Sequence, residues 1–154
     1  MKTVFSFLIL SFYFLSCQKE SNDQLSLLTR EPWKIDKYTK TIFIDNKLDT
    51  IYTIPDNNCD HYGTIFLNDD FSGRFVSICN QTTLGGWKLQ GDVVDLILTP
   101  IGITVSGFVF PNAKIKVLNK THLVLESKFV VTGIDPVTNK LDTLIRLENL
   151  YMSH

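Results

Sequence analysis

The sequence predicts an all-β domain, an antiparallel up-and-down meander of about eight to ten strands that closes into a barrel. From Trp33 onward, apolar and polar residues alternate with a period of two, and β-branched and aromatic residues dominate. Turn residues such as Asp45-Asn46, Gly91-Asp92 and Pro111-Asn112 interrupt this pattern roughly every eight to twelve positions. Connections this short make neighbouring strands antiparallel, and so many strands must close on themselves to cover their edges.

A signal segment precedes this domain. Lys2 supplies an early positive charge, and an apolar run follows from Val4 to Leu15. This layout is typical of a secretory signal peptide, since a membrane span needs roughly 20 apolar residues. The segment Phe14-Leu15-Ser16-Cys17 resembles the lipobox, where bacterial lipoproteins are cleaved and lipidated. The resemblance implies removal of residues 1–16 and acylation of Cys17, which would anchor the protein to a membrane. The alternative is a plain secretory peptide with an incidental cysteine.

The residues after the cysteine predict a tether and a location. Residues 17–24 form a polar tether, because no apolar residue follows Cys17 until Leu25. Gln18-Lys19-Glu20 resembles the Lys-plus-acid signal that sends some Gram-negative lipoproteins to the cell surface. We therefore expect an outer-membrane lipoprotein of the cell envelope, with the periplasmic face and the cell surface as alternatives. The barrel domain occupies residues 25–154.

The charge balance disfavours a nucleic-acid partner. Removing residues 1–16 takes away Lys2 and no acid, which leaves 14 basic against 16 acidic side chains. The sequence shows no stripe or block of Lys and Arg. Nucleic-acid binding depends on such an excess of positive charge, so we expect no nucleic-acid partner. The expected partners are the membrane, through the lipid anchor, and a small apolar ligand.

Two cysteines remain after Cys17, and their positions predict a disulfide. The midpoint of Cys59 and Cys79 falls at residue 69, inside the Asn68-Asp69-Asp70 turn. A hairpin closed by this turn places the two cysteines opposite each other, about 4.5–5.5 Å apart at Cα, which a disulfide can span. Compartments outside the cytosol are oxidising, which favours the disulfide over two free thiols.

A short repeat raises a question of modification. Asn46-Lys47-Leu48-Asp49-Thr50-Ile51 is echoed by residues 139–144, NKLDTL. The simpler interpretation is two similar hairpin turns, each with Asn in the bend and a strand after it. The alternative comes from the Asp-Thr-aliphatic pattern, which resembles the O-glycosylation motif of one phylum of Gram-negative bacteria. That resemblance implies Thr50 and Thr143 as the acceptors.

The sequence predicts no catalytic residue, no metal site and no cofactor. It contains no H-E-x-x-H, no G-x-S-x-G, no Gly-rich phosphate loop and no Rossmann pattern. His61 and His122 fall on different predicted strands, and a turn explains Asp69-Asp70. We therefore expect that the protein is not an enzyme.

Four segments together resemble bacterial lipocalin-like domains. Residues 28–33 (LTREPW) open as those domains do, with a Trp on the first strand. Residues 59–73 are similar to their Cys, aromatic, acidic-turn and Gly segment. Residues 86–94 (GWKLQGDVV) look like their Gly-x-Trp-x-Leu-x-Gly-Asp hairpin, and residues 121–126 (THLVLE) like their late Thr-x-Leu-Val-Leu strand. The resemblance implies a lipocalin-like barrel, which has room inside for one small ligand.

Seven side chains are candidates for lining the barrel interior. They lie on the strand face predicted to point inward: Trp33, Ile65, Leu67, Phe75, Trp87, Leu89 and Leu96. They either line a pocket or simply fill the barrel. The first hypothesis is therefore a lipid-anchored envelope barrel that binds a small apolar molecule. The second is a non-enzymatic interaction module with a filled barrel, which binds protein or glycan through the loops at 55–62, 80–86 and 134–140.

Overall fold

A computed structural model describes residues 23–98, 108–134 and 141–154. The predicted signal peptide and Cys17 lie outside these residues. Residues 23–29 form a short helix, which crosses the predicted boundary between tether and barrel domain. Nine strands follow: β1 Trp33–Ile44, β2 Lys47–Thr53, β3 Gly63–Leu67, β4 Ser72–Ser77, β5 Thr82–Gln90, β6 Val93–Leu98, β7 Phe108–Leu118, β8 His122–Ile134 and β9 Leu141–Ser153.

The strands form a closed antiparallel barrel, which confirms the predicted fold class. Eight of them, β1 and β3 to β9, follow one another around the wall, and β1 pairs with β9 to close it. The remaining strand, β2, is hydrogen-bonded to the upper part of β1. We call the end where β1 begins the lower end of the barrel and the end where β1 finishes the upper end.

The short helix lies at the lower end of the barrel. Leu28 is fully buried in the core cluster, and its carbonyl accepts a hydrogen bond of 2.9 Å from Trp33 Nε1. His154, at the other terminus, stacks on the Trp33 ring with 3.8 Å between ring centroids. A helix of two turns is not stable alone. Its burial against Trp33 therefore explains why these residues are helical.

The barrel wall changes above Tyr38, where four strands continue beyond the rest. β3 pairs with β1 only at Trp33 and Lys34. From Thr39 upward, β2 pairs with the same edge of β1. β7 leaves β8 beyond Glu126, while β8 and β9 stay paired along their whole length. We call this upper part the extension. It is a sheet in the order β2–β1–β9–β8, made of β2 with residues 39–44, 127–134 and 141–149.

The first copy of the repeated segment begins at the tip of the extension. Asp45 and Asn46 both have positive φ, 48° and 63°, as a two-residue type I′ hairpin turn requires. This confirms the first predicted turn with Asn in the bend, whereas the second bend, at 139–140, lies outside the described residues. The two hairpins contact each other, because the Asp45 amide donates to the Thr143 carbonyl at 3.0 Å and the Thr143 amide donates to Asp45 Oδ1 at 3.1 Å.

The turn predicted at Pro111-Asn112 is wrong, because β7 runs through it as one strand. The register between β6 and β7 shifts opposite this dipeptide, and Asn112 has φ of 48°. The bulge accommodates the proline, which has no amide hydrogen to give to a ladder. β7 pairs with β8 only from Lys114 to Leu118, so the upper half of β8 has no ladder with β7.

The predicted disulfide between Cys59 and Cys79 is present, with 5.5 Å between Cα atoms. The Asn68-Asp69-Asp70 turn closes the β3–β4 hairpin as predicted. The cysteines themselves lie beyond the paired residues, because the ladder ends at Gly63 opposite Ser77. The bond therefore ties the loop between β2 and β3 to the β4–β5 turn. Closing this loop is worth roughly 3 kcal/mol in the chain-entropy model.

Candidate functional site

The middle of the barrel is a packed core. Six of the seven predicted lining residues are at most 5 % exposed: Trp33, Ile65, Leu67, Phe75, Trp87 and Leu96. Leu89 is partly buried and packs against the same cluster. A space of about 20 Å³, lined by Cys59, Phe75 and Phe108 among others, has room for about one water molecule. The candidates are thus brought together as neighbours in one core.

Two larger concavities, of about 490 and 370 Å³, lie on the outer side of β5 and β6. Among the described residues they share Phe71, Trp87, Lys88 and Asp95. Lys88 and Asp95 face each other across the two strands, and Asp95 accepts a hydrogen bond from the Asn112 amide. Phe71 covers the edge of this groove, 5.2 Å from the Trp87 ring. The groove is outside the barrel, whereas the predicted ligand site is inside.

A cluster of polar side chains covers the top of the packed core. We call it the mouth cluster and define it as Tyr38, Lys40, His61, Arg146 and Glu148. Glu148 is 3 % exposed. The Tyr38 hydroxyl donates to Glu148 Oε2, and Arg146 Nε and Lys40 Nζ lie 2.8 and 3.6 Å from Oε1. One buried carboxylate is therefore held by a hydroxyl and two cations.

Strand pairing places these groups side by side. Lys40 on β1 is directly opposite Glu148 on β9, so both point to the same face of the wall. Tyr38 and Arg146 share that face, because each is two residues from one of this pair. Leu150 and Met152 continue the same side of β9 into the core at 0 % and 2 % exposure. The mouth cluster is therefore the point at which the inner face changes from apolar to charged.

Aromatic rings and a loop hold the cluster in place. The Arg146 guanidinium lies 4.6 Å from the centroid of the Phe129 ring, and the His61 ring meets the Tyr38 ring edge-on at 5.0 Å. The Tyr62 hydroxyl accepts from the Tyr38 amide at 3.2 Å and donates to the Ile54 carbonyl at 2.7 Å. The loop that carries these residues is the one tied by the disulfide. The disulfide thus also restrains one side of the mouth.

The surroundings of Tyr38 and His61 fix their protonation. Burial and the hydrogen bond to Glu148 raise the pKa of the Tyr38 phenol, so it remains a donor at neutral pH. Burial lowers the pKa of His61, and the positive charge of Lys40 lowers it further. His61 is therefore neutral at pH 7. Lys40 and Arg146 against Glu148 leave the mouth cluster with one net positive charge.

The His61 environment predicts a pH dependence of stability. Because its pKa is lowered on folding, the unfolded chain binds a proton at His61 before the folded chain does as pH falls below about 6.5. The free energy of unfolding should then decline with falling pH, and full stability should be present above the unfolded pKa. His61→Gln is expected to reduce this decline. Urea unfolding at several pH values from about 7.5 to 5 checks it, and an unchanged decline in the variant contradicts it.

The inner face of the extension, above the mouth cluster, carries several exposed apolar side chains. Ile42 lies opposite Arg146, and Ile44 lies opposite Leu144, which in turn lies opposite Val131. Ile44 is 43 % exposed, Leu144 38 % and Val131 59 %. This face continues the inner side of the barrel wall, so it is the concave side. Among the described residues it forms a concave surface that we call the trough, with the mouth cluster at its base.

The outer face of the extension carries a second apolar surface. One row of paired residues crosses all four strands: Leu48, Phe43, Ile145 and Val130. In this row Leu48 and Val130 are 56 % and 55 % exposed. Ile51, in the next row, is 62 % exposed. Contiguous exposed apolar surface of this kind is uncommon on monomeric proteins and marks interaction sites.

The two predicted glycosylation acceptors both lie in the extension. Thr50 is exposed on β2, opposite Ile42. Thr143 is half-buried on β9, where its backbone is bonded to Asp45. They lie on strands that flank β1 on either side, near the tip. Their glycosylation stays a prediction.

The fold and site define an eight-stranded antiparallel closed barrel with an apolar trough at one end, compatible with a lipocalin-like fold. A scan against protein-family models, a search of curated proteins and a search of solved structures found no match for this chain. No described helix is both long and apolar enough to cross a membrane. Within residues 23–98, 108–134 and 141–154, no three His, Cys, Asp or Glu side chains are grouped to hold a metal ion.

The sequence reasoning missed the mouth cluster, although one signal pointed to it. Leu150 and Met152 were readable as inward residues of the last strand, and a period of two places Glu148 and Arg146 on the same side. Charged residues on an inward face are unusual, and they mark either a polar rim or a site. The partner strand was not identifiable, since Tyr38 and Glu148 are separated by 110 positions.

Proposed function

We propose that this protein is a non-enzymatic outer-membrane lipoprotein that reversibly binds a small, mostly apolar molecule in the trough. The sequence around Cys17 supports the lipid anchor. The helix at 23–29 lies at the lower end of the barrel, so a tether attached there leaves the upper end pointing away from the anchoring leaflet. β1 has twelve residues and spans about 40 Å at roughly 3.3 Å per residue. The trough would therefore lie at the end of the barrel farthest from the membrane and face the aqueous medium.

The observation that carries the proposal is the inner face of the extension. Ile44, Leu144 and Val131 are exposed there, although they continue the face that is fully buried lower in the barrel. An apolar molecule in the trough would remove these side chains from water, which is favourable by about 25 cal/mol per Å². In this account the packed core, with the seven predicted lining residues, is the support beneath the ligand.

The contacts of the mouth cluster support a binding role over an enzymatic one. A side chain that acts as a general base must be free to accept a proton from a substrate. Glu148 is engaged by Tyr38, Lys40 and Arg146 and is buried beneath them. Its carboxylate serves to hold the cations in place. No cofactor is needed for this role.

Adjacent valines on opposite faces of β8 provide the test. Val131 lies on the inner face and Val130 on the outer face, at 59 % and 55 % exposure. The experiment uses residues 17–154 with Cys17→Ser, so that no lipid is attached, and follows fluorescence of the neutral dye N-phenylnaphthylamine. Val131→Glu is expected to weaken dye binding by about tenfold or more, because it places a charge against the apolar part of the ligand. Val130→Glu, the matched control, is expected to bind as the parent chain does.

Two outcomes contradict the proposal. One is no saturable dye binding by the parent chain at concentrations at which it is folded. The other is an equal loss of affinity in the two variants. Circular dichroism of each variant establishes that both are folded before their affinities are compared.

The outer face favours a second candidate function, an interaction module whose partner is a second copy of this chain. The row from Leu48 to Val130 has no charged residue, so two copies can pack it face to face as a β-sandwich. Asp49 on β2 and Lys128 on β8 lie at opposite edges of the extension. A two-fold axis along the strands puts β2 of one copy over β8 of the other, which brings these opposite charges together.

The same two variants test this second function with their roles exchanged: Val130→Glu should disrupt the dimer, and Val131→Glu is the control. Sedimentation velocity should detect a dimer in the parent chain and in Val131→Glu, and a monomer in Val130→Glu. A monomeric parent chain contradicts it, as does a dimer that survives Val130→Glu. The oligomeric state and the dye affinity therefore report separately on the two faces.

A further inference from the structure

We propose that the molecule bound in the trough is an anionic amphiphile, whose charged head meets Lys40 and Arg146 and whose apolar chain lies along the extension. This inference rests on the proposed function and adds the chemical class of the ligand. It follows from three features of the mouth: an excess of positive charge, the arrangement of Arg146, and the apolar surface directly above it.

The first feature is the charge balance at the base of the trough. Lys40 and Arg146 both contact the one carboxylate of the mouth cluster, Glu148. Lys40 is 17 % exposed and Glu148 4 % as side chains, so this pair is screened less than a surface pair. Farther up the inner face, Lys47 lies opposite Ile44 and adds another cation. A ligand with one negative charge would neutralise the excess at the base.

The second feature is the way in which Arg146 is held. Its side chain is 41 % exposed, whereas Glu148 beneath it is buried. Its Nε is close to Glu148 but lies outside hydrogen-bonding geometry, and among the described residues this buried nitrogen has no hydrogen-bond partner. The Phe129 ring supports the guanidinium plane from one side. A guanidinium fixed in this way can present its remaining N–H groups to a carboxylate or phosphate in a planar fork.

The third feature is the apolar surface that begins next to these cations. Ile42 is opposite Arg146, and Ile44, Leu144 and Val131 follow one step higher. From Glu148 to Leu144 the strand rises about 13 Å at roughly 3.3 Å per residue. This length suits a medium-length alkyl chain lying on the sheet. A neutral apolar molecule would use the same surface but would leave the positive charge at the base without a partner.

The test compares ligands that differ only in the head. Decanoate, decyl phosphate and decanol compete with N-phenylnaphthylamine for residues 17–154 carrying Cys17→Ser. At least one of the two anions is expected to bind about tenfold more tightly than the alcohol, because it makes charge-assisted hydrogen bonds that the alcohol lacks. The tighter anion identifies the head as carboxylate or phosphate. Raising the salt concentration should weaken the anions and leave the alcohol unchanged.

Arg146→Gln is expected to reduce the preference for the anion to less than about threefold, while decanol affinity is retained. Arg74→Gln is the matched control, because Arg74 also stacks on a phenyl ring, 4.0 Å from the Phe66 centroid, on the outside of the barrel. It should keep the full preference. Lys40→Met provides a second variant if Arg146→Gln does not fold.

The possible results separate this inference from the proposed function. Equal affinity for decanoate, decyl phosphate and decanol overturns the anionic head but leaves apolar binding in place. A preference that survives both Arg146→Gln and Lys40→Met also overturns it. Failure of all three ligands and of the dye to bind overturns the proposed function itself.

Discussion

Glu148→Gln is expected to lower the free energy of unfolding by about 2–3 kcal/mol, although it changes one atom of the side chain. The carboxylate is 3 % exposed and compensates Lys40 and Arg146 at the top of the core. Removing its charge leaves two cations close to each other, and only the hydrogen bond to Tyr38 can be kept. The estimate is below the 3–5 kcal/mol typical of broken buried pairs, because Arg146 is 41 % exposed and can turn toward water.

Glu126→Gln is the matched control for this prediction. Glu126 also pairs with a lysine, at 3.1 Å from Lys116 Nζ, but both side chains are at the surface, 28 % and 45 % exposed. Exposed pairs contribute about 0–1 kcal/mol, so this variant should unfold close to the parent chain. Urea unfolding of the three proteins makes the comparison. Equal destabilisation by the two substitutions would mean that the mouth cluster is not an organised buried site.

Trp33→Ala is expected to cost about 3–5 kcal/mol, because a fully buried indole is removed from the lower end of the core. It also removes the hydrogen bond from Nε1 to the Leu28 carbonyl, which attaches the helix to the barrel. The helix at 23–29 should then lose protection against amide hydrogen exchange more than β8 and β9 do.

Trp33→Phe separates packing from hydrogen bonding at the same position. It keeps most of the ring and removes the donor, so a loss of about 1–2 kcal/mol is expected. Denaturant unfolding of both variants, with hydrogen exchange of residues 23–29, makes the measurement. A loss of less than about 1 kcal/mol in Trp33→Ala would contradict the assignment of this residue to the core.

The closed sheet could be predicted from the sequence, because it depends on local patterns. Alternation identified Ile65 and Leu96 as inward residues, and each is 1 % exposed. The spacing of Cys59 and Cys79 about a turn identified their disulfide. Each of these inferences needs only the period of a strand and the position of a turn.

The extension and the mouth cluster could not be predicted, because they depend on where distant strands stop pairing. Ile42 and Ile44 alternate just as core residues do, and nothing local indicates that β3 ends at the bottom of β1 and leaves Ile42 partly exposed and Ile44 exposed. The Tyr38–Glu148 contact needs the register between the first and last strands. The helix at 23–29 could not be predicted from its own residues, because it is short and its contact with Trp33 stabilises it.

Native mass spectrometry of the protein isolated from its native source tests directly whether a ligand is held in the trough. The parent chain and Val130→Glu are expected to carry one discrete mass beyond residues 17–154 and their acyl chains, and to lose it on unfolding. Val131→Glu is expected to lack it. The same bare mass in all three proteins, or an added mass that Val131→Glu retains in full, would contradict a ligand held in the trough.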